Sequence, residues 1–290
     1  MRPAVLKPVD QEAEQDAWAG RKKVIDVGGL DLAYVEIASA EPPLVLVHGF
    51  TDTSRSFSLL APYLSGRRLI IPDLRGHGAS KVGGGCGVAD FAGDIAGLIR
   101  TLGLHQPVVV GHSLGAMVSI ALASRQPELV GGLVVMAGTL KTGFAPDHPL
   151  VTGVEALRDP ILPADPFFEW WHQCGPEVPR AFLAGMAKDA SAMPVARWRA
   201  ILEEIHSADL TAAAQAVRAR TLIIAGGRDP LFDGNHQQRL LKEIPAPFFM
   251  AMAHCGHNPH WEDPALVAAA ISEFAGPADS FGGASKPSTS

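Results

Sequence analysis

The sequence predicts an α/β fold in which a doubly wound, mostly parallel sheet carries helices on both faces and a helical cap is inserted between two strands. Two observations favour it. Short runs of apolar, largely β-branched residues alternate with longer segments of helical periodicity, the order expected of a doubly wound sheet. The runs are also apolar throughout, which is typical of parallel strands buried on both faces.

Composition supports this class and limits the partners. The chain has 290 residues, of which 47% are hydrophobic and 19% charged, values typical of a globular domain. The net charge is −6, and no run of five basic residues occurs, which argues against a nucleic-acid or anionic-membrane surface. We therefore expect a small-molecule partner, no cofactor or metal, and a monomer or homodimer.

The three cysteines, Cys86, Cys174 and Cys255, are far apart and lack metal-type spacing, which favours a reducing compartment over a disulfide framework. The first 20 residues contain no apolar run typical of a signal peptide. No apolar stretch approaches the roughly 18 residues that a membrane-spanning helix requires. These features predict a cytoplasmic protein.

Eight segments have the composition of strands. Val24–Val27 and Leu32–Ile37 flank Gly28-Gly29 and predict an opening hairpin. The six other predicted strands are Leu44–Val47, Leu69–Ile71, Val108–Val110, Leu133–Met136, Leu222–Ala225 and Phe248–Met252.

Five segments between these strands are predicted to be helices. They are Ser54–Leu64, Val88–Leu102, Leu114–Arg125, Asn235–Glu243 and Pro264–Phe274. In sheets of this class the ligand site lies at the carboxyl ends of the strands. Every notable polar motif of the chain follows one of the strand runs, so we expect the site there.

The segment 140–210 interrupts the alternation of predicted strands and helices. It contains no convincing strand run, has five prolines between Pro146 and Pro166, and then shows helical patterns near 177–188 and 195–206. It also holds three of the five tryptophans, Trp170, Trp171 and Trp198. We interpret it as a helical cap, and a second layer of core helices is the alternative.

These patterns divide the chain. Residues 1–20 are predicted to be an N-terminal extension, and 21–139 with 211–275 are predicted to form the core domain. The cap is expected at 140–210. The segment 276–290 is polar and of low complexity, which predicts a disordered tail.

Gly111-His112-Ser113-Leu114-Gly115 is the strongest motif. It follows a predicted strand and precedes a predicted helix, the setting of a nucleophile elbow. A tight, strained turn pushes the serine hydroxyl out above the sheet. The residues two before and two after the serine must approach each other closely, which requires glycine or a very small residue. Ser113 is therefore the predicted nucleophile, and an ordinary Gly/Ser turn is the alternative.

With the elbow and four further motifs in order at strand ends, the chain resembles the α/β-hydrolase superfamily over about residues 20–275. The four motifs are Leu46-Val47-His48-Gly49-Phe50, Pro72-Asp73-Leu74-Arg75-Gly76-His77-Gly78, Gly226-Gly227-Arg228-Asp229-Pro230 and Gly256-His257-Asn258-Pro259-His260-Trp261-Glu262. The order of serine, acid and histidine along the chain is the one found in that superfamily. The resemblance implies hydrolysis by a serine nucleophile and leaves the substrate open.

The resemblance also implies roles for single residues. Backbone N–H groups of Phe50 and Leu114 would form the oxyanion hole. The base follows a glycine after the last strand, which indicates His257, and the acid that orients it is then Asp229. Asp233 is the alternative acid.

Three other groups of residues have simpler interpretations. His254 and His260, which with His257 are spaced at three, are interpreted as packing or helix-capping residues rather than zinc ligands. The loop of Asp73 and Arg75 is interpreted as structural, with an ion pair between these two residues. Apolar and aromatic cap residues are candidates for the pocket wall, or else for packing of the cap on the core. They are Phe167, Phe168, Trp170, Trp171, Met186, Met193 and Trp198.

A serine at position 113 distinguishes the chain from relatives in this superfamily, the haloalkane dehalogenases and epoxide hydrolases, that carry aspartate there. The prediction is a serine hydrolase that cleaves a carboxylic ester or lactone, with thioesters and amides included, through an acyl-serine. A carbon–carbon bond hydrolase with the same triad, a perhydrolase-like enzyme and a slow-turnover ligand receptor of the same fold remain alternatives.

Overall fold

The computed structural model describes residues 8–175 and 177–276, which contain one eight-stranded sheet. The strands are β1 (Lys22–Val27), β2 (Leu30–Ile37), β3 (Ala40–Val47), β4 (Arg67–Pro72), β5 (Val108–His112), β6 (Gly132–Met136), β7 (Thr221–Gly226) and β8 (Phe248–Met252). Their order across the sheet is β1-β2-β4-β3-β5-β6-β7-β8. β2 is antiparallel to β1 and to β4, and every other pair is parallel. The predicted fold class and all eight predicted strands are confirmed.

The central strands are buried on both faces, as their continuous apolar runs predict. Along β3, Val45 and Val47 pack into one hydrophobic cluster while Leu44 and Leu46 pack into another on the opposite face. This alternation follows from the two-residue period of a strand. Helices cover both clusters, and the carboxyl ends of β3, β5, β7 and β8 remain free to carry loops.

The helices that flank the sheet are α1 (Pro8–Gly20), α2 (Val88–Thr101), α3 (Leu114–Arg125), α9 (Gly234–Glu243), α10 (Pro259–Glu262) and α11 (Pro264–Ala275). α1 lies in the predicted N-terminal extension, and its Trp18 is buried and donates from Nε1 to Oγ of Ser54. The predicted tail lies outside the described residues apart from Gly276. Among the described helices, none is long and apolar enough to cross a membrane.

One predicted helix, Ser54–Leu64, is wrong. The segment forms two short 3-10 turns instead, Ser54–Phe57 and Ala61–Leu64. Pro62 has no N–H to donate to the preceding turn. The N–H of Ser54 is held by Oδ1 of Asp73, 2.8 Å away, so tertiary contacts set the path of this segment.

The chain between β6 and β7 contributes five helices: α4 (Pro149–Ala156), α5 (Phe167–Trp171), α6 (Arg180–Ser191), α7 (Val195–Ser207) and α8 (Thr211–Gln215). Arg55 ties this insertion to the core, because its Nε donates to Oδ2 of Asp189 at 2.8 Å. The insertion lies where the cap is expected, and its edges at 140 and 210 remain a prediction.

Candidate active site

The turn between β5 and α3 holds Ser113 in a strained conformation. Its φ is 53° and its ψ is −114°, a region that residues with a side chain rarely adopt. A Cβ on Gly111 would collide with the backbone of Gly115, and one on Gly115 would collide with the carbonyl group of Val47. Both positions of the motif therefore require glycine, and the turn presents the hydroxyl at the N-terminal end of α3.

Three side chains from separate loops form a hydrogen-bonded chain. Nε2 of His257 lies 2.9 Å from Oγ of Ser113, and Nδ1 of His257 lies 2.9 Å from Oδ2 of Asp229. A carboxylate only accepts, so Nδ1 carries the proton and Nε2 presents its lone pair to the serine hydroxyl. All three residues are buried. The arrangement allows Ser113 to lose its proton to His257 as it attacks an electrophile.

Asp229 is fixed in this geometry by the backbone that follows it. Its Oδ1 accepts from the N–H groups of Leu231 and Phe232, at 2.8 and 3.1 Å. Burial by itself would raise the pKa of Asp229, but the charge and hydrogen bond of His257 together with these two N–H groups lower it below the usual value. The carboxyl group thus stays ionised and orients the imidazole.

The other acid and the other histidines of this region have different partners. Asp233 caps α9 by accepting from the N–H groups of Asn235 and His236. His254 contacts Asp263, and His260 is buried against Oγ of Ser56, with its Nε2 3.0 Å away. In the part of the chain that is described, no group of three or more potential ligands could hold a metal ion.

The two residues predicted to supply the oxyanion hole, Phe50 and Leu114, line a cavity that also contains Ser113. Both residues are buried. Nε2 of His77 donates to the Phe50 carbonyl oxygen at 2.7 Å. This bond holds the peptide that follows Phe50, next to the peptide whose N–H is the candidate oxyanion donor.

The predicted ion pair between Asp73 and Arg75 is wrong. Arg75 instead donates to both carboxylate oxygens of Asp94. Asp73 pairs with Lys22 at 2.6 Å and accepts from the backbone of Ser54 and Ala79. Side chains two apart in a loop diverge, so each reaches a partner on a different element.

Two small cavities of about 20 Å³ each meet at Ser113. The polar cavity is lined by Gly49, Phe50, Asp52, His112, Ser113, Trp171, His172, His257, Asn258 and Trp261. The apolar cavity is lined by Phe50, Ser113, Leu114, Met117, Phe144, Leu150, Trp171, Leu202, Ile205, Leu231 and Phe232. An outer cleft of about 330 Å³ reaches His257 from the surface, between Trp170 and Trp171 on one side and Arg228 and Glu262 on the other.

The structure separates the predicted pocket residues. Trp171 lines both cavities and the outer cleft, and Trp170 lines the cleft. Trp198 is fully buried among Phe50, Phe167 and Phe168.

Other apolar residues of the insertion are also packed, some of them against residues outside it. Met186 is fully buried with Phe182 and Trp261 in a separate cluster. Phe167, Phe168 and Met193 belong to, or pack against, the main hydrophobic cluster. Neither cavity at Ser113 contains Phe167, Met186 or Trp198 in its wall. Their contacts in the structure are packing contacts, and a role for them in the pocket wall stays a prediction.

Sequence reasoning did not single out three polar residues of the polar cavity, Asp52, His112 and His172. His112 lies inside the serine motif, directly before Ser113, and Asp52 lies two residues beyond the motif that ends at Phe50. His172 directly follows Trp171 in the predicted cap. Burial of a charged or polar side chain is the signal that marks them, and it becomes visible only in three dimensions.

Comparisons with known proteins agree with this architecture. The sequence-family model of the alpha/beta hydrolase family matches residues 44–270 of the chain. Over 114 residues the chain is 42% identical to the 2-(acetamidomethylene)succinate hydrolase of Mesorhizobium japonicum, a match that spans 39% of this chain and 41% of that protein's length. Over 252 residues it is 23% identical to the sn-1-specific diacylglycerol lipase ABHD11 of Mus musculus, covering 80% of each.

A solved structure is also similar along most of the chain. The crystal structure of E-2-(acetamidomethylene)succinate hydrolase superimposes with a TM-score of 0.73 at 25% identity, and the match covers 88% of this chain and 98% of the other. The sheet and the helices that flank it are thus shared with this structure.

Proposed function

Since the chain belongs to the alpha/beta hydrolase family, we propose that it is a serine hydrolase that cleaves a carboxylic ester or lactone of a small, partly apolar molecule. The proposal includes thioesters and amides, which the same chemistry attacks. The observation that carries it is the chain of hydrogen bonds from Ser113 through His257 to Asp229, with both distances at 2.9 Å. This arrangement supplies a nucleophile, a base within reach and an acid that fixes the tautomer of the base.

The proposed reaction has two halves. Oγ of Ser113 attacks the substrate carbonyl carbon while its proton moves to Nε2 of His257. The carbonyl oxygen becomes negative and accepts from the N–H groups of Phe50 and Leu114, an interaction worth about 2.7–4 kcal/mol per donor. His257 then gives its proton to the leaving oxygen, and the bond to that oxygen breaks to leave an acyl-serine.

In the second half a water molecule takes the place of the leaving group. His257 removes a proton from the water as the water oxygen attacks the acyl carbon. Collapse of the tetrahedral intermediate breaks the bond to Oγ, and the proton on His257 returns to Ser113. The products are a carboxylic acid and an alcohol, and the enzyme is regenerated without a cofactor.

Three features of the site support a substrate of modest size. The cavities at Ser113 are small and one of them is apolar, so an acyl part of several carbon atoms requires movement of the inserted helices. The outer cleft leads to His257 and provides space for the leaving group. Its walls combine Trp170 and Leu231 with Arg228 and Glu262, which suits a leaving group with both apolar and polar parts.

Multiple turnover of an activated ester tests the proposal. The wild-type protein is expected to release many equivalents of p-nitrophenol from p-nitrophenyl acetate per chain, and His257→Gln is expected to release far less. Gln lacks a basic nitrogen but fills a similar volume. His206→Gln, on the exposed face of the insertion, is the matched control and should resemble wild type. A single stoichiometric burst followed by no turnover would contradict an esterase and favour a ligand receptor.

A further inference from the structure

The polar cavity beside Ser113 contains groups that the proposed reaction does not use. Asp52, His112 and His172 are 5%, 2% and 7% exposed, and all three line the same cavity as Ser113 and His257. Burying polar groups is costly unless they are satisfied by hydrogen bonds. The partners of these three side chains therefore indicate what the cavity is built to hold.

Asp52 and His112 present two hydrogen-bond acceptors to each other. Nε2 of His112 donates to the carbonyl oxygen of His257 at 2.9 Å. Burial lowers the pKa of His112 to about 3, so the ring is neutral and its Nδ1 carries a lone pair. That Nδ1 lies 3.8 Å from Oδ2 of Asp52, too far for a direct hydrogen bond.

Oγ of Ser56 donates to Oδ2 of Asp52 at 2.9 Å, and the backbone of Gly49 also hydrogen-bonds the Asp52 carboxyl group. Burial raises the pKa of Asp52 to about 6, while these two hydrogen bonds and the charge of His257 oppose the rise. Above that pH the group is a carboxylate. A carboxylate and a neutral imidazole nitrogen that face each other require a donor from elsewhere.

The third group comes from the inserted helices. The ring of His172 stacks on Phe168 with centroids 5.3 Å apart, which holds its plane. Within residues 8–175 and 177–276, neither Nε2 of His172 nor Nδ1 of His112 has a hydrogen-bond partner. The residues that carry these two buried nitrogens and this carboxylate thus line one cavity of about 20 Å³, enough for a group the size of one water molecule.

We propose that the polar cavity is a recognition subsite for a hydroxyl-sized hydrogen-bond donor carried by the substrate close to its scissile carbonyl, with Asp52 and His172 as the residues that determine this specificity. The inference rests on the proposed function and specifies its substrate class. The apolar cavity on the other side of Trp171 and Phe50 then takes an apolar arm. The preferred substrate is a short hydroxyacyl or similarly donor-bearing ester, not a plain fatty ester.

This proposal explains why one wall is polar while the other is not. A site built to hydrogen-bond a hydroxyl group rejects the analogue that lacks it, because the site's polar groups are then left unpaired. A purely apolar pocket discriminates only weakly between such a pair. The discrimination is measurable as a ratio of kcat/KM values on one protein sample, which a general loss of stability does not change.

The test compares the p-nitrophenyl esters of butanoate, 2-hydroxybutanoate and 3-hydroxybutanoate. For at least one hydroxyl position, wild type should prefer the hydroxylated ester over butanoate by about fivefold or more, since one net hydrogen bond contributes about 1 kcal/mol. His172→Phe, which keeps the stacking on Phe168, and Asp52→Asn should each bring that ratio to within about threefold of one. His206→Phe, outside both cavities, is the matched control and should keep the wild-type ratio.

Each other outcome overturns the inference. If wild type hydrolyses all three esters with ratios near one, the cavity does not recognise a hydroxyl group. If the preference survives both substitutions, other residues provide it. If none of the esters is turned over, the proposed function itself fails and the inference fails with it. Should Asp52→Asn not fold, His172→Phe alone decides, because its side chain keeps the volume and the stacking of the original.

Discussion

The indole Nε1 of Trp171 donates a hydrogen bond of 2.7 Å to Oγ1 of Thr51. Thr51 directly follows Phe50 in the loop after β3, and Trp171 ends α5, so this bond joins the insertion to the loop that carries a candidate oxyanion donor. The ring of Trp171 also lies between the polar and the apolar cavities. A change at this residue therefore affects substrate fit more than folding.

We expect Trp171→Ala to change the ratio of kcat/KM between a short ester and a bulky one by about tenfold, because one large apolar contact is worth about 1–3 kcal/mol. The measurement is the kinetics of p-nitrophenyl acetate and p-nitrophenyl octanoate on one preparation. If both substrates lose activity equally, Trp171 does not contribute to specificity.

Trp198→Ala should give the opposite pattern. The side chain of Trp198 is fully buried and its Nε1 donates to the carbonyl oxygen of Ala190. Its loss should lower the free energy of unfolding by about 3–5 kcal/mol and leave the substrate ratio of the folded fraction close to wild type. Urea denaturation and the two kinetic assays together check this, and a changed ratio with unchanged stability would argue against the packing role.

Two aspartates of one loop should differ sharply in their effect on activity. Asp229→Asn removes the carboxylate that holds Nδ1 of His257, and we expect a loss of about 10⁴-fold in kcat. Asp233→Asn changes only the N-cap of α9. Since Asn is also a good cap, activity and melting temperature should stay near wild type. A larger kinetic loss in Asp233→Asn would assign the acid to that residue.

Asp52 should make the stability of the protein depend on pH. Its pKa is about 6 in the folded state and about 3.9 when unfolded. Between these values the folded chain holds a proton that the unfolded chain lacks, so the stability contribution of Asp52 is present at low pH and is lost as pH rises.

The Asp52→Asn variant has no titratable group at position 52, so its stability lacks this pH dependence. The free energy of unfolding of wild type should therefore fall relative to the variant by about 2 kcal/mol between pH 4 and pH 7. Urea denaturation at both pH values measures the difference. A constant difference across this range would show that Asp52 titrates near its unfolded value.

Much of the fold follows from local sequence, for a physical reason. A strand buried on both faces must be apolar at consecutive positions. β5 and β6 can therefore be predicted from the apolar runs Val108–Val110 and Leu133–Met136 in the sequence. The elbow is equally local, because the collisions at Gly111 and Gly115 fix the residue type. The family match confirms the resemblance that these motifs indicated.

The features that local sequence does not predict depend on contacts between segments far apart in the chain. The partner of Arg75 is Asp94 on α2 and not the nearby Asp73, a choice that spacing along the chain does not determine. Trp171 lies in a cavity wall and Trp198 in a packed core, although both are aromatic residues of the same inserted segment. Asp52, His112 and His172 line the polar cavity together, and no sequence motif contains all three residues.

Ser113→Ala should lower ester turnover by several orders of magnitude, because the nucleophile is lost while the rest of the site is kept. The melting temperature should change little, since in the described part of the chain the side-chain hydrogen bond of Ser113 is the one to His257. Ser191→Ala, on the exposed end of α6, is the matched control and should retain full activity. Full activity in Ser113→Ala would place the nucleophile elsewhere.

The claim that Ser113 is the nucleophile is tested most directly by finding which residue an activated phosphonate ester modifies. The reagent phosphonylates the reacting serine, and the phosphonyl group, unlike an acyl group, is not released by hydrolysis. Mass spectrometry of the intact wild-type protein should show one added phosphonyl group, and peptide mapping should place it on Ser113. Ser113→Ala should gain no mass. A phosphonyl group on any other residue, or none on active wild-type protein, would contradict Ser113 as the nucleophile.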